Sequence, residues 1–470
     1  MSVPVISIAQ MREWEKATWA SGETEAQVIQ QVGLRVARRA EQLTAADDLI
    51  LLLAGKGHNG DDVRAAHEFL TGRRVELLEI KSPAEALARL EAVLALNPAL
   101  LVDGLFGIGL NRPLDEPWLK FIARINETQL PVLAVDVPSG LNADSGETFG
   151  AAIQAAVTLT IGAPKQGLLR RSAWPFVGRL EVATEVGLAP CGQASDLRWT
   201  LPTAFNGFPP PRPVAGHKGT FGHLAIIAGS VGYHGAAVLA TRGAQRAQPG
   251  LVTTFPVEQA YYQVAGQLQA AMVKAWAHNT HFHDDYTALL IGPGLAAKDV
   301  PQELIVSVRK LWRDSPLPVV VDASALDWLS SDPVSRGVIR VITPHPGEAA
   351  RLLKTTPQLV QQDRVQAVRE ISRRYCNCWV VLKGHQTLIG RSAGDVFVNP
   401  SGNPYLAQGG SGDVLAGFLA GLLAQPALQA DVARTVRYAV WQHGAAADVL
   451  QARCRNWLVE DLVREIGNAR

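Results

Sequence analysis

Short apolar runs recur along the chain, each ending in glycine and a polar group, and between them apolar residues return at three- and four-residue spacings. Strand, loop and helix therefore alternate. From residue 11 to about 46 the spacing of Met11, Trp14, Ala17, Val28, Ile29, Val32, Val36 and Ala37 predicts packing helices. The unbroken run Leu49–Ala54 then predicts a buried strand, and Val63, Ala66, Phe69 and Leu70 predict the helix after it. Between them lies a glycine loop from Gly55 to Asp62. Further runs at 100–102, 132–135 and 156–161 lead into Asp103-Gly104, Asp136-Val137-Pro138-Ser139-Gly140 and Gly162-Ala163-Pro164-Lys165. This is the pattern of an α/β fold, a mostly parallel sheet with helices on both faces and its ligand site at the carboxyl ends of the strands. Taken singly, Asp103 and Asp136 read more simply as helix caps or turn residues; three glycine-flanked carboxylate loops in one sheet weigh against that.

At 209–213 four prolines in five residues exclude a helix or central strand and predict an extended connector. Two domains are expected, 1–208 and 209–470. Strands are predicted beyond it at 224–228, 251–254, 288–291, 319–321, 341–343 and 380–382. Most exit into chemistry: Gly229-Ser230, Gly292-Pro293-Gly294, Asp322, Pro344-His345-Pro346-Gly347-Glu348 and Lys383-Gly384-His385-Gln386-Thr387. A second site along a second sheet follows. The helix predicted beyond Val432 should cover this sheet, with Trp441 and His443 read as packing or surface residues.

Composition narrows the class. In 470 residues, 44 basic side chains nearly cancel 43 acidic ones, which removes bulk attraction to nucleic acid or an anionic membrane. A hydrophobic content of 47% suits large globular cores, while no apolar run is long enough to span a bilayer and the first residues lack a signal peptide's pattern. Four cysteines, two of them spaced as Cys376 and Cys378, do not make a disulfide framework, so a reduced, cytoplasmic protein is expected. His278, His281, His283, Asp284 and Asp285 imitate metal ligands but sit in a polar connector, where a solvated loop is the simpler reading.

The densest candidate chemistry is Gly409-Gly410-Ser411-Gly412-Asp413, which runs into the small-residue apolar stretch 414–423. Glycines let several backbone N–H groups converge, and a helix start adds its positive end, so the turn can cradle an anion. Asp413 beside it could take a proton from an attacking hydroxyl. The alternative is a core helix with Asp413 as its N-cap. Lys383, Thr387 and the N–H groups near Gly384 suit a nucleotide's phosphates, so phosphoryl transfer to a hydroxyl is the expected reaction class. No P-loop motif is present.

In the N-terminal half, the glycine loop followed by Val102-Asp103-Gly104-Leu105-Phe106-Gly107 and Val135-Asp136-Val137-Pro138-Ser139-Gly140-Leu141-Asn142 resembles the NAD(P)H-hydrate epimerase domain, a Rossmann-like three-layer fold. The resemblance implies that His58, Asn59, Gly60, Asp61 and Asp62 contact the phosphates of the hydrate. It implies the same for Gly107, Ile108, Gly109, Leu110, Asn111, Arg112 and Pro113. Asp136 would lie at the reacting nicotinamide, and Asn59, Asp103 and Ser139 would hold K+. The loop departs from the family's usual pattern at His58, Asp61 and Val63. Charge at Asp61 and a side chain at Val63 predict a weakened or altered grip.

The C-terminal half resembles the ADP-dependent NAD(P)H-hydrate dehydratase, a ribokinase-like α/β fold. It does so through Lys218-Gly219, Gly229-Ser230, Gly235-Ala236, Gly292-Pro293-Gly294, Val321-Asp322-Ala323, Thr343-Pro344-His345-Pro346-Gly347-Glu348, Lys383-Gly384 and Gly410-Ser411-Gly412-Asp413. This implies that ADP phosphorylates the hydroxyl of the S-hydrate and that phosphate then leaves. Ala236, Gly294, His345 and Asp413 would meet the hydrate. Lys383, Gly384, His385, Gln386 and Thr387 would hold the nucleotide together with Gly410, Ser411 and Gly412. Mg2+ would accompany it, and a homo-oligomer is expected. Two other readings stay open: a ribokinase-like kinase whose phosphorylated product is kept, and a non-catalytic nucleotide-binding N-terminal module.

Overall fold

A computed structural model describes residues 1–282, 285–296, 298, 300–334 and 337–469. The chain forms two compact units, Val3–Ser195 and Asp196–Arg470, the second taking in Met1–Ser2. The division falls before the proline connector that marked the expected boundary at 208/209. The reason is local. The strand Leu197–Thr200 belongs to the second sheet, and Arg198 donates to the Ser2 carbonyl at 2.9 Å.

The strands, in chain order, are β1 (Ser2–Pro4), β2 (Leu49–Ala54), β3 (Arg74–Glu79), β4 (Leu100–Gly104), β5 (Val132–Val135), β6 (Val157–Ile161) and β7 (Arg179–Ala183). Then come β8 (Leu197–Thr200), β9 (His223–Ile227), β10 (Leu251–Phe255), β11 (Met272–Val273), β12 (Ala288–Ile291), β13 (Val319–Val321), β14 (Arg340–Ile342), β15 (Trp379–Leu382), β16 (Leu388–Gly390) and β17 (Val396–Val398).

In the N-terminal unit six parallel strands run in the order β3-β2-β4-β5-β6-β7. Strand β2 is apolar throughout because both its faces are covered. Ile50 and Leu52 join Val28, Val32 and Val36 of the helix Glu25–Leu43. Leu51 and Leu53 join Leu90 and Phe121 on the opposite side. Successive side chains of a strand point to opposite faces, so an unbroken apolar run marks a central strand of a three-layer unit. Chain order reverses between β2 and β4, which opens a crevice at their carboxyl ends.

The second unit carries the eleven-stranded sheet β1-β8-β17-β16-β15-β14-β13-β12-β9-β10-β11. From β15 to β11 every neighbouring pair is parallel, so the loops after β9, β12, β13, β14 and β15 open at one end. One face packs on the helices His234–Arg246, Ser411–Leu423 and Val432–Arg453. The first two meet backbone to backbone. A Cβ added at Gly417 would lie 1.9 Å from the Ala240 carbonyl oxygen, and one at Gly421 would lie 2.6 Å from that of Ala244. Gly417→Ala adds about 1 kcal/mol of helix propensity, but the overlap can be relieved only by moving backbone. A net loss of about 1–3 kcal/mol is therefore expected, read as a lower thermal transition of this unit; an unchanged or raised transition would contradict the close approach.

Candidate functional sites

The crevice of the N-terminal unit is built from the ends of β2, β4, β5 and β6. The helix His58–Phe69 starts straight after β2, and its N-cap, Gly57, supplies no side chain to the first-turn amides. That leaves donors for an anion. A Cβ at Gly60 would lie 2.1 Å from the Gly55 carbonyl oxygen, so the loop closes only with glycine there. The departures in this loop are absorbed. The carboxylate of Asp61 is paired with Arg64 at 2.7 Å, and Arg64 also binds Glu79 and the Gly55 carbonyl. Val63 lies within the helix, fully buried, and Gly104 makes room for it, since a Cβ at Gly104 would lie 2.3 Å from Val63 Cγ2. His58 stays exposed, its Nε2 2.9 Å from Glu25. Asp62 is buried, and burial pushes its carboxyl well above the usual range, helped by Asp136, Asp61, Glu15 and Glu25.

Asn59, Asp103 and Ser139 come together around the Phe106 carbonyl. Asn59 Nδ2 donates to it at 3.0 Å, and Ser139 Oγ lies 3.2 Å from it. Ser139 Oγ donates to Asp103 Oδ1 at 2.6 Å, and the Ser139 amide to Oδ2 at 2.8 Å. Burial pushes Asp103 up to about 6 against these hydrogen bonds. An all-oxygen set with one carboxylate suits a monovalent cation. Among the described residues no cluster of three or more His, Cys, Asp or Glu could hold a metal. His283 and Asp284 of the connector lie outside the described residues.

Asp136 adopts a left-handed backbone, φ 62°, at the end of β5. Its Oδ1 accepts from Lys165 Nζ at 2.5 Å, the Ile161 amide at 3.0 Å and Thr160 Oγ1 at 3.1 Å. Lys165 is fully buried. In the sequence Lys165 stands out only by its place after a strand in a glycine-flanked loop. The stretch from Gly107 to Pro113 follows β4, with Gly109, Asn111, Arg112 and Pro113 exposed.

In the second unit Asp413 is in the first turn of Ser411–Leu423, and the N-cap is Gly410 at φ 95°. The capping role considered for Asp413 is thus excluded. Gly412 lies over the ammonium of Lys383: a Cβ there would be 3.5 Å from Nζ and 3.9 Å from Asp322 Oδ2. Lys383 Nζ is 2.7 Å from Asp322 and 3.8 Å from Glu348. Burial pulls the Lys383 ammonium down, but Asp322, Glu348 and Asp413 outweigh it and its pKa stands above the ordinary value. Burial, with Asp322 and Glu348, pushes Asp413 up to about 7 despite Lys383. Three carboxylates thus share one ammonium, and Asp413 is poised to exchange a proton near neutrality.

The other predicted positions lie in the segments that follow β9, β12, β14 and β15. His345 caps the helix Pro346–Leu353, its Nδ1 accepting from the Gly347 amide at 3.0 Å, while Nε2 of its exposed ring lies 3.6 Å from Glu348 Oε1. Gly294 and Ala236 adjoin: a Cβ at Gly294, φ 67°, would lie 3.0 Å from that of Ala236 and 2.3 Å from the Tyr233 carbonyl oxygen. Ala236 opens the helix His234–Arg246, which also lacks a side-chain cap. Gly384 and Gln386 have positive φ, and Arg364 ties the loop down by donating to the His385 carbonyl at 2.6 Å. Thr387 Oγ1 donates to the Gly384 carbonyl at 3.0 Å.

Of the two residues read as packing or surface positions on the covering helix, His443 also makes a polar contact. His443 is buried, with Nε2 2.9 Å from the Ser411 carbonyl oxygen and 3.2 Å from Ser411 Oγ. It reaches the glycine turn from a covering helix, while Trp441 packs on Phe205 as expected.

Comparisons with known proteins agree over both units. A family model described as NAD(P)H-hydrate dehydratase matches residues 224–468, and one described as YjeF-related protein N-terminus matches 25–167. The chain is 35% identical over 489 aligned residues to the bifunctional NAD(P)H-hydrate repair enzyme of Gloeobacter violaceus, covering 96% of this chain and 94% of that protein. It is 34% identical to the corresponding enzyme of Coxiella burnetii, with 93% of each covered. A ribokinase-like superfamily protein from Enterococcus faecalis shares the fold of the second unit, with a TM-score of 0.51 and 24% identity over 59% of this chain and 96% of that one.

Proposed function

The chain belongs to the family of bifunctional NAD(P)H-hydrate repair enzymes, and from that premise we propose that its N-terminal unit interconverts the R and S hydrates of NADH or NADPH while its C-terminal unit dehydrates the S form with ADP. The observation that carries the second activity is the carboxyl of Asp413, held at a titration point of about 7 beside the open start of a helix. A carboxylate there takes the proton of the hydrate's hydroxyl, whose oxygen attacks the β-phosphorus of ADP and releases AMP. Elimination of the phosphate from the hydrated carbon, with loss of a proton from its neighbour, restores the dihydronicotinamide ring.

The residues divide this work. Amides at Gly410 and Gly412, with Lys383 beside Gly412, oppose the charge of the phosphoryl group in flight. Lys383, Gly384, His385, Gln386 and Thr387 line the nucleotide side. Ala236, Gly294 and His345 line the hydrate side, where His345 offers Nε2 because Nδ1 is engaged in the cap. Asp322 and Glu348 are the carboxylates that would hold Mg2+, which would neutralise phosphate charge on the bound nucleotide. In the N-terminal unit K+ fits the oxygens of Asn59, Asp103 and Ser139, where it would favour the ionised form of buried Asp103. The open start of His58–Phe69 takes the hydrate's phosphates alongside the stretch from Gly107 to Pro113, and Asp136 faces the reacting ring.

Separated epimers test both halves. With ADP, absorbance of the reduced nicotinamide is expected to recover from either epimer; without ADP, from neither. Recovery from S alone would remove the epimerase assignment, and recovery from S without a nucleotide would remove the phosphorylation route.

A further inference from the structure

The glycine turn before Asp413 is held from outside by a residue 32 positions away on another helix. His443 Nε2 stands 2.9 Å from the Ser411 carbonyl oxygen, and a carbonyl can only accept. That nitrogen therefore carries the ring proton. The Ser411 hydroxyl lies 3.2 Å from the same nitrogen, so it accepts a share of the same N–H. Among the described residues His443 Nε2 is the one polar partner of Ser411 Oγ, which leaves the hydroxyl's own proton uncommitted. Ser411 is buried and its amide closes the turn onto the Gln408 carbonyl at 3.3 Å. Both the backbone and the side chain of Ser411 are thus fixed.

The same covering helix braces the segment leading into the turn. Asp448 accepts from the Gly402 amide at 3.0 Å and from Asn403 Nδ2 at 3.1 Å. At Gly444 a Cβ would lie 2.4 Å from Ser401 Oγ, so only glycine lets the helix approach this closely. Burial holds the His443 ring neutral, down to about 4, which keeps it a donor at one nitrogen only.

We infer that His443 is a positioning residue of the dehydratase reaction: by donating to Ser411 it turns the Ser411 hydroxyl so that its proton is offered to the phosphoryl group in flight. This deepens the proposed function and rests on it. A hydrogen bond made chiefly as charge develops lowers the barrier without tightening nucleotide binding, so its loss appears in kcat rather than in the KM for ADP.

The test compares His443→Leu, His443→Gln, Ser411→Ala and the double variant His443→Leu/Ser411→Ala, assayed on S-hydrate with ADP. His443→Leu and Ser411→Ala are each expected to lower kcat about a hundredfold with KM for ADP within about twofold. The glutamine, whose amide nitrogen can reach the place of Nε2, should recover to within about fivefold of wild type, and the double variant should be no slower than either single one. A His443→Leu enzyme within about threefold of wild-type kcat, or losses that multiply in the double variant, would overturn the inference. If the leucine variant fails to fold, Ser411→Ala against Ser411→Thr decides: the threonine must keep the rate that the alanine loses. Wild-type protein that ignores ADP would instead sink the phosphoryl-transfer reading itself.

Discussion

Asp413→Asn is expected to lower ADP-dependent dehydration of S-hydrate about a thousandfold, the scale of a lost general base, while leaving epimerisation untouched. The pH profile carries the same assignment. Because burial and the neighbouring carboxylates push Asp413 up to about 7, kcat/KM should rise with pH through that region and level above it. Stability runs the other way. A carboxyl raised in the folded state contributes stability, relative to ionised Asp413, that is fully present below its unfolded titration point near 3.8 and is lost progressively as pH rises to about 7. Wild-type protein at pH 8 thus holds a half-buried carboxylate at a cost of the order of a few kcal/mol. Asn removes that charge, so the variant should melt higher than wild type, with the gap widening from pH 4 to 7. An inactive variant that melts no higher would leave the base assignment standing but contradict the burial argument; an active one would sink the assignment.

The sequence displayed both sheets because their strands are buried on both faces, so β2 or β12 reads as an unbroken apolar run ending in glycine. The polar groups at those ends, Asp103, Asp136, Asp322 and Lys383, were legible for the same reason. Groups brought in from outside the strand ends were not. His443 sits on a helix among apolar neighbours, and nothing local distinguishes it from a packing residue. The effect of Asp61 was also hidden, since its charge is cancelled by Arg64, which β3 in turn holds through Glu79. The compact units divide ahead of the proline connector because prolines mark where chain is extended, not where a sheet begins. Strand β8, only four residues long, carries too little pattern to be seen ahead of its partner β17.

Asp136→Asn should abolish conversion of R-hydrate to S-hydrate, again by about a thousandfold, with S-hydrate dehydration unchanged. Asn tolerates the positive φ of this position nearly as well as Asp, so the backbone is kept. In wild type Oδ1 is committed to Lys165, Thr160 and the Ile161 amide, whereas among the described residues no donor meets Oδ2. Oδ2 is therefore the atom left to exchange a proton with the hydrated ring. An amide oriented by Lys165 must place its oxygen in the Oδ1 position, which puts NH2, a donor without basicity, where Oδ2 was. Lys165→Met is the poorer probe, because removing one member of a buried ion pair costs about 3–5 kcal/mol and confounds rate with folding. The measurement is the rate at which R-hydrate is consumed when ADP and wild-type dehydratase are in excess. A variant within about threefold of wild type would show that the proton is moved by another group, and buried Asp62, whose carboxyl is influenced by Asp136, would be the next to replace.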